Sequence, residues 1–208
     1  MKRLTSVAAL GGFLIIALLT FAQPAKAEES PMAELKSTAD RILAIIVDES
    51  ISGPGAMKKK LDMAWEIIQD YFADEEMTRR TMAKHWKPLT QEQKKEFIYL
   101  YSQLLRRSYV SKLELFEGQE ISYDKERLEG EYAKIDTSLK YHGENIPLGY
   151  SLIKSDGRWK IYDMVIDGVS LIANYRRQFN KIIRKEGYEG LVKRLKNKLA
   201  EEKALEGS

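Results

Sequence analysis

The segment from Trp159 to Ile183 constrains the fold most strongly, because two different periodicities meet within it. Residues 159–166 are almost all apolar or aromatic, which is typical of a strand buried on both faces. Asp167-Gly168 interrupts this run. Apolar residues then recur at the spacing of an amphipathic helix, at Val169, Ile172, Tyr175, Phe179 and Ile182. A strand that continues directly into such a helix predicts one wall of a sheet that is covered by helices.

The chain before this segment divides into a helical part and a strand-rich part. Residues 30–116 carry apolar residues at helical spacing, with N-cap residues at Ser30 and Thr90, and the last of these helices is predicted to run to Phe116. Period-two alternation follows and predicts about four to five strands, joined by short turns such as Asp156-Gly157. We therefore expect an α+β fold: N-terminal helices, a strongly twisted antiparallel meander sheet and closing C-terminal helices.

The first 27 residues have the pattern of a signal peptide rather than of folded structure. Lys2 and Arg3 precede an apolar run, and Ala25-Lys26-Ala27 fits a small-x-small cleavage site, so cleavage is predicted after Ala27. An uncleaved membrane anchor is the alternative, although the run is short for a span of about 20 residues. Residues 28–208 are expected to form a single domain with a frayed tail at about 201–208.

The charge balance excludes some classes of function. Without Lys2, Arg3 and Lys26 the chain has 31 Lys and Arg residues against 31 Asp and Glu residues. A chain near neutrality lacks the concentrated basic footprint of a nucleic-acid-binding protein. The sequence also has no cysteine, so an exported chain of this kind is held together by its core and not by disulfides.

Catalytic and metal-binding signals are poor. His85 and His142 stand far apart and fit no metal-ligand spacing, so no metal site, no cofactor and no enzymatic activity are expected. Ser170 lacks the glycine of a nucleophile elbow and more plausibly starts a helix. Asp163 interrupts an otherwise apolar strand: it is either a buried general base or, as we favour, a carboxylate that is paired with a nearby Arg or Lys or bonded to backbone amides.

The positive signal is a surplus of apolar surface on the last strand. Simple alternation places Ile161 and Val165 on one face and Tyr162, Met164 and Ile166 on the other. Helices on both sides of the sheet explain this pattern, and so does a sheet that lines a cavity. From residue types alone, a filled core is the more common explanation.

The sequence resembles the MlaC family, also called toluene-tolerance proteins. The residues that carry the resemblance are Trp159-Lys160, Tyr162-Asp163, Gly168-Val169-Ser170, Asn174-Tyr175-Arg176, Gln178-Phe179 and, upstream, His85-Trp86, Thr90, Gln93 and Phe97. The order of the predicted elements is similar to that family over essentially the whole exported chain.

The resemblance implies a monomeric periplasmic carrier with phospholipid as cargo. Such a protein holds the acyl chains in an apolar cavity between sheet and helices. It exchanges lipid with an inner-membrane ABC transporter complex, which contains a substrate-binding ring protein, and with an outer-membrane lipoprotein complex, and so maintains lipid asymmetry of the outer membrane. Face parity and the family architecture together suggest the lining residues Leu100, Leu104, Tyr109, Leu139, Tyr141, Leu148, Tyr150, Met164, Val169 and Tyr175.

The final two predicted helices carry the basic residues Lys181, Arg184, Lys185, Lys193, Arg194, Lys196 and Lys198, and the candidate docking residues are Lys193, Arg194 and Lys196. Such a run is usually a solvated helix face, but the sharper hypothesis is a docking surface for partner complexes or anionic headgroups. Three other functions stay open from the sequence: a binding module for small apolar solutes such as aromatic solvents, an enzyme that uses Asp163 as base, and a structural envelope protein with a filled core.

Overall fold

The computed structural model describes residues 30–116 and 118–206, and the predicted signal peptide lies outside them. The helices are α1 (Pro31–Ile46), α2 (Ala56–Tyr71), α3 (Asp74–Met82), α4 (Gln91–Tyr109) and α5 (Leu171–Glu206), with short 3₁₀ helices at Ala83–His85 and Val110–Leu115. Both predicted N-caps are confirmed. The Ser30 hydroxyl accepts a hydrogen bond from the Ala33 amide at 3.1 Å, and Thr90 forms a reciprocal capping box with Gln93.

The strands form one antiparallel sheet in sequence order, so the predicted α+β meander is confirmed. They are β1 (Ile121–Glu129), β2 (Tyr132–Tyr141), β3 (Glu144–Ser155), β4 (Arg158–Ile166) and β5 (Val169–Ser170). Two-residue loops connect each strand to the next. At Asp156-Gly157, for example, both residues have positive φ (52° and 76°), the geometry that matches the twist of the flanking strands.

Two boundaries differ from the sequence prediction. The long helix ends at Tyr109 rather than Phe116, because Tyr109 leaves helical geometry (φ −127°) and a 3₁₀ helix follows. Asp167-Gly168 also forms a hairpin loop, with φ of 48° and 74°, and Val169 pairs with Ile166. Val169 is therefore a strand residue and not part of the helical stripe, which begins at Leu171.

The core has two parts, which we call the helical cluster and the sheet cluster. The helical cluster joins α3, α4 and α5, and its buried members include Met77, Phe97, Leu100, Tyr101, Leu104, Tyr175, Phe179 and Leu191. The sheet cluster joins α1 and α2 to the sheet, through Leu35, Tyr71, Ala133, Ile135, Leu152, Trp159 and Ile161. Helices thus cover the sheet from two directions.

A β-bulge at Tyr162 allows β4 to contribute side chains to both clusters. Ile161 pairs with Leu152 but Asp163 pairs with Ser151, so Tyr162 is an extra residue on β4. Ile161 and Met164 consequently pack with the sheet cluster, whereas Tyr162 packs with the helical cluster. The simple alternation predicted for this strand is therefore wrong beyond Tyr162, although both faces of the strand are packed.

Asp74, at the start of α3, gives the fold a pH-dependent stability. Burial raises the pKa of its carboxyl to about 6 from 3.8, against the opposing charge of Lys160. The native carboxyl thus keeps its proton where the unfolded chain has released it, and stability falls as pH rises through this interval. We expect Asp74→Asn to be about 2 kcal/mol more stable than the parent protein at pH 7.5 and equally stable near pH 4, as measured by urea unfolding. An equal difference at both pH values would contradict this account.

Candidate functional site

One face of the sheet is apolar along most of its length, but helices cover only one end of it. Cross-strand pairing puts Ala133 beside Leu152 at the covered end, where both are buried. Toward the opposite end the same face continues through residues that are only half-buried. We call this group the apolar row: Leu139, Tyr141, Ile146, Leu148, Tyr150, Met164 and Ile166. Partly exposed apolar side chains in register form a continuous surface that a ligand can cover.

The register of three strands brings the apolar row together. Leu139 pairs with Ile146, Leu148 pairs with Ile166, and Tyr150 pairs with Met164. Directly paired side chains on adjacent strands are about 5 Å apart, so these pairs are in lateral contact range. Five of the ten predicted lining residues lie in this row. The other two residues of the row, Ile146 and Ile166, are not among the ten. Alternation along β3 from Leu148 is enough to place Ile146 on this face, whereas the face of Ile166 depends on the β-bulge in β4.

The other five predicted residues lie elsewhere. Leu100, Leu104 and Tyr175 are buried in the helical cluster, and Tyr109 packs against that cluster while remaining half-buried. Val169 lies on β5 with 49% of its surface exposed. The structure therefore separates the ten residues into a sheet group, a helix group and Val169 at the edge of the sheet.

Burial keeps Tyr150 of the sheet group and Tyr109 of the helix group uncharged at physiological pH. Burial raises the pKa of Tyr150 to about 12, with a further contribution from the neighbouring Tyr123. Burial likewise raises the pKa of Tyr109 to about 12, with a further contribution from the neighbouring Tyr175. An uncharged, largely apolar surface suits the hydrocarbon part of a ligand and offers few groups that select a polar one.

Asp163 has a structural role in this structure. Its Oδ2 accepts a hydrogen bond from the Ser170 hydroxyl at 2.7 Å, and its Oδ1 accepts one from the Ile172 amide at 3.1 Å. The Ser170 oxygen in turn accepts from the Ala173 amide at 3.0 Å. The two side chains together cap the first turn of α5 and hold it against β4, as the structural alternative for Asp163 predicts.

Replacing Asp163 by Ala is expected to lower stability without changing ligand content. Loss of the carboxylate leaves the Ile172 amide and the Ser170 hydroxyl without their acceptor, a cost of about 2 kcal/mol. Urea unfolding measures this loss, and mass spectrometry of extracted lipid measures ligand content. Asp40→Ala is the control, because its exposed pairing with Lys36 contributes little. A stable Asp163→Ala protein that has lost its ligand would contradict the structural role.

The predicted docking residues are exposed, but two of the three have local partners. Arg194 forms a bidentate pair with Glu186 at 2.6 and 2.7 Å. Lys196 contacts Glu96 at 2.6 Å. These carboxylates reduce the local positive charge, so the final part of α5 is less basic than its sequence alone indicates.

The surface of the described residues also has grooves outside the apolar row. Two surface grooves of about 510 and 390 Å³ flank α1, and charged residues such as Lys36, Asp40 and Arg41 contribute to their walls. Neither groove contains a predicted lining residue. Within residues 30–116 and 118–206, no group of acidic, His or Cys side chains could hold a metal ion, and no helix is long and apolar enough to cross a membrane.

The class that these features define is an α+β domain with one open antiparallel sheet and a partly covered apolar face. Comparison with known proteins supplies the family. The protein-family model described as MlaC protein matches residues 36–197, which is more than half of the chain. The chain therefore belongs to the MlaC family. This confirms the resemblance found in the sequence.

Two relatives illustrate the family. The chain is 23% identical over 193 residues to the intermembrane phospholipid transport system binding protein MlaC of Haemophilus influenzae, with 88% of each protein covered. It is also similar to the solved structure of a phospholipid-binding protein from Ralstonia solanacearum in complex with a phospholipid. That match has a TM-score of 0.75 and 27% identity, and it covers 83% of this chain and 98% of the other.

Proposed function

We propose that this protein is a periplasmic phospholipid carrier without catalytic activity. It shuttles lipid between an inner-membrane ABC transporter complex, which includes a substrate-binding ring protein, and an outer-membrane lipoprotein complex, and it thereby maintains outer-membrane lipid asymmetry. Support comes from membership of the MlaC family and from the phospholipid bound by the similar Ralstonia protein. The observation on this chain that carries the proposal is the apolar row.

The energetics of an acyl chain fit a surface of this kind. Each methylene exposed to water costs about 0.8 kcal/mol, so a 16-carbon chain costs on the order of 10 kcal/mol. A carrier that crosses an aqueous space must therefore cover the chains almost fully. The half-buried side chains of the apolar row have surface left to bury, whereas Ala133, Ile135 and Leu152 are already buried by α1, α2 and the rest of the core.

The ten predicted lining residues are proposed to contribute in two ways. Leu139, Tyr141, Leu148, Tyr150 and Met164 form the sheet side of the cavity and contact the acyl chains directly. The helical members Leu100, Leu104, Tyr109 and Tyr175 form the helical part of the lining, and among them only Tyr109 is half-buried and has surface left to cover. Val169, which is exposed at the sheet edge, lies where a chain would enter. The headgroup remains in solvent, so selectivity for it is weak.

Partner docking is proposed at Lys193, Arg194 and Lys196, with the carrier acting as a monomer. Docking there would require acidic groups of a partner to replace Glu186 and Glu96 as counterions. Charge complementarity of this kind affects association rate and specificity more than affinity. Cleavage after Ala27 would release the domain into the periplasm.

Binding of small apolar solutes is the second candidate function. The apolar row extends over three strands, so it is about 10 Å wide and about 13 Å long. This surface is large for one solvent-sized aromatic ring and is better matched to hydrocarbon chains. The observation therefore favours the phospholipid.

Uptake of lipid from vesicles tests the proposed function. Protein stripped of ligand is mixed with vesicles that contain a fluorescent phospholipid, separated by filtration and assayed for label. We expect about one lipid per protein and no dependence on headgroup beyond a few-fold. Uptake of toluene but not of phospholipid would favour the second candidate, and uptake of neither would exclude both.

A further inference from the structure

Two segments that pack side by side carry a concentration of positive charge. Residues 77–90 and 171–185 contain no Asp or Glu. Their cations are Arg79, Arg80, Lys84, Lys87, Arg176, Arg177, Lys181, Arg184 and Lys185, and we call the surface that they form the basic face. It includes Lys181, Arg184 and Lys185 of the predicted basic run but not the candidate docking residues Lys193, Arg194 and Lys196, which lie beyond Glu186.

Hydrogen bonds join the two segments into one surface. The Arg176 Nε donates to the Arg80 carbonyl oxygen at 2.9 Å. The His85 Nε2 lies 3.0 Å from the Asn180 Oδ1. The contact between α3 and the first half of α5 is therefore fixed, and the two cation-bearing segments adjoin along it.

Most of this charge is not neutralised. Arg177, Lys181, Arg184 and Lys185 are exposed, and their spacing places them on one side of α5. None of these four forms an ion pair with another residue in the described part of the chain. On α3, Arg79 and Arg80 share the single carboxylate of Glu76. The nearest acidic residue along α5, Glu186, is bound to Arg194.

The composition of the basic face distinguishes between possible partners. Protein interfaces centre on large apolar or aromatic anchors. The exposed large hydrophobic residues of the described chain lie outside both segments, and one of them, Tyr132, stands at the margin with its ring 5.8 Å from the Arg80 guanidinium. A face of flexible cations without a central anchor matches a fluid anionic surface, which needs charge but no fixed shape.

We propose that the basic face binds the surface of a membrane that contains anionic phospholipid, and so holds the protein at the bilayer while its partners are engaged. This inference concerns where the protein meets a membrane and does not depend on what its cavity holds. Each exposed cation near such a surface contributes roughly a fivefold increase in partitioning. The interaction should therefore weaken steeply as ionic strength rises.

Vesicle co-sedimentation of the exported protein tests this proposal. The probes are vesicles of phosphatidylcholine with and without phosphatidylglycerol, at low and physiological salt. The test variant carries Arg177→Gln, Lys181→Gln, Arg184→Gln and Lys185→Gln. The matched control carries Lys59→Gln, Lys95→Gln, Lys125→Gln and Lys134→Gln, which removes the same charge from exposed positions elsewhere.

We expect the parent protein to bind only the anionic vesicles, the test variant to bind at least about 100-fold more weakly, and the control to change less than about threefold. Equal losses in both variants would show that net charge alone acts and would overturn the proposal. A parent protein that does not bind anionic vesicles at low salt would also overturn it. The same holds for a test variant that still binds the vesicles and loses only the binding of a protein partner. Bound-lipid content is measured in parallel: its loss in the parent protein would count against the carrier function and not against the basic face.

Discussion

A Leu148→Asp variant is expected to lose its bound phospholipid, with retention reduced at least about 100-fold, while remaining folded. Leu148 lies in the middle of the apolar row, paired with Thr137 on one side and Ile166 on the other. A carboxylate at this position would lose its water when an acyl chain covers it, and burying an unpaired charge costs several kcal/mol. The side chain is only half-buried without ligand, so the fold tolerates the change.

The control for this variant is Leu128→Asp. Leu128 pairs with Ala133 and so lies on the same sheet face, but it is 52% exposed at the far end of β1. Both proteins are purified identically, and lipid is extracted and quantified by mass spectrometry, with circular dichroism to confirm folding. Equal lipid content in the two variants would show that the apolar row does not bind the acyl chains.

Phe97→Ala is expected to be the most destabilising of the substitutions considered, at about 3–5 kcal/mol. Phe97 is fully buried, and its ring lies 5.6 Å from that of Phe179 and 6.0 Å from that of Tyr188. These two partners stand on opposite sides of the kink at Gly187, so one ring from α4 fixes both halves of α5. Its removal leaves a cavity at the point where three helical segments meet.

Urea unfolding measures this effect, with Tyr99→Ala as the control. Tyr99 is on the same helix but 63% exposed, so truncating it should cost less than about 1 kcal/mol. A Phe97→Ala protein whose unfolding midpoint matches that of the control would mean that the helical cluster is not organised around this ring. From most to least stable, the expected order is the parent protein, the Tyr99→Ala control and the Phe97→Ala variant.

Local signals in the sequence predicted much of the fold. Ser30, Thr90 and Asp156-Gly157 act through neighbours within three residues, and each forms the predicted cap or hairpin. Asp167-Gly168 is an equally strong hairpin signal. The sequence nevertheless predicts a direct passage into a helix there, because the strand that follows has only two residues, too few to show alternation.

Features that depend on distant residues could not be predicted. No residue type near Tyr162 specifies a bulge, which arises from the pairing of β4 with β3. The faces of Met164 and Ile166 follow from it, and so does much of the composition of the apolar row. The same limit applies to charge: the sequence cannot show that Glu96 pairs with Lys196, or that Arg176 on α5 bonds to Arg80 on α3.

The central claim is that this protein carries phospholipid, and native mass spectrometry of the exported protein tests it most directly. The protein is purified without detergent and its intact mass is compared before and after denaturation. The account predicts an added mass of one phospholipid in the native spectrum, which disappears on denaturation and is identified in the organic extract. A native spectrum without bound lipid, from protein that also takes up none from vesicles, would contradict it.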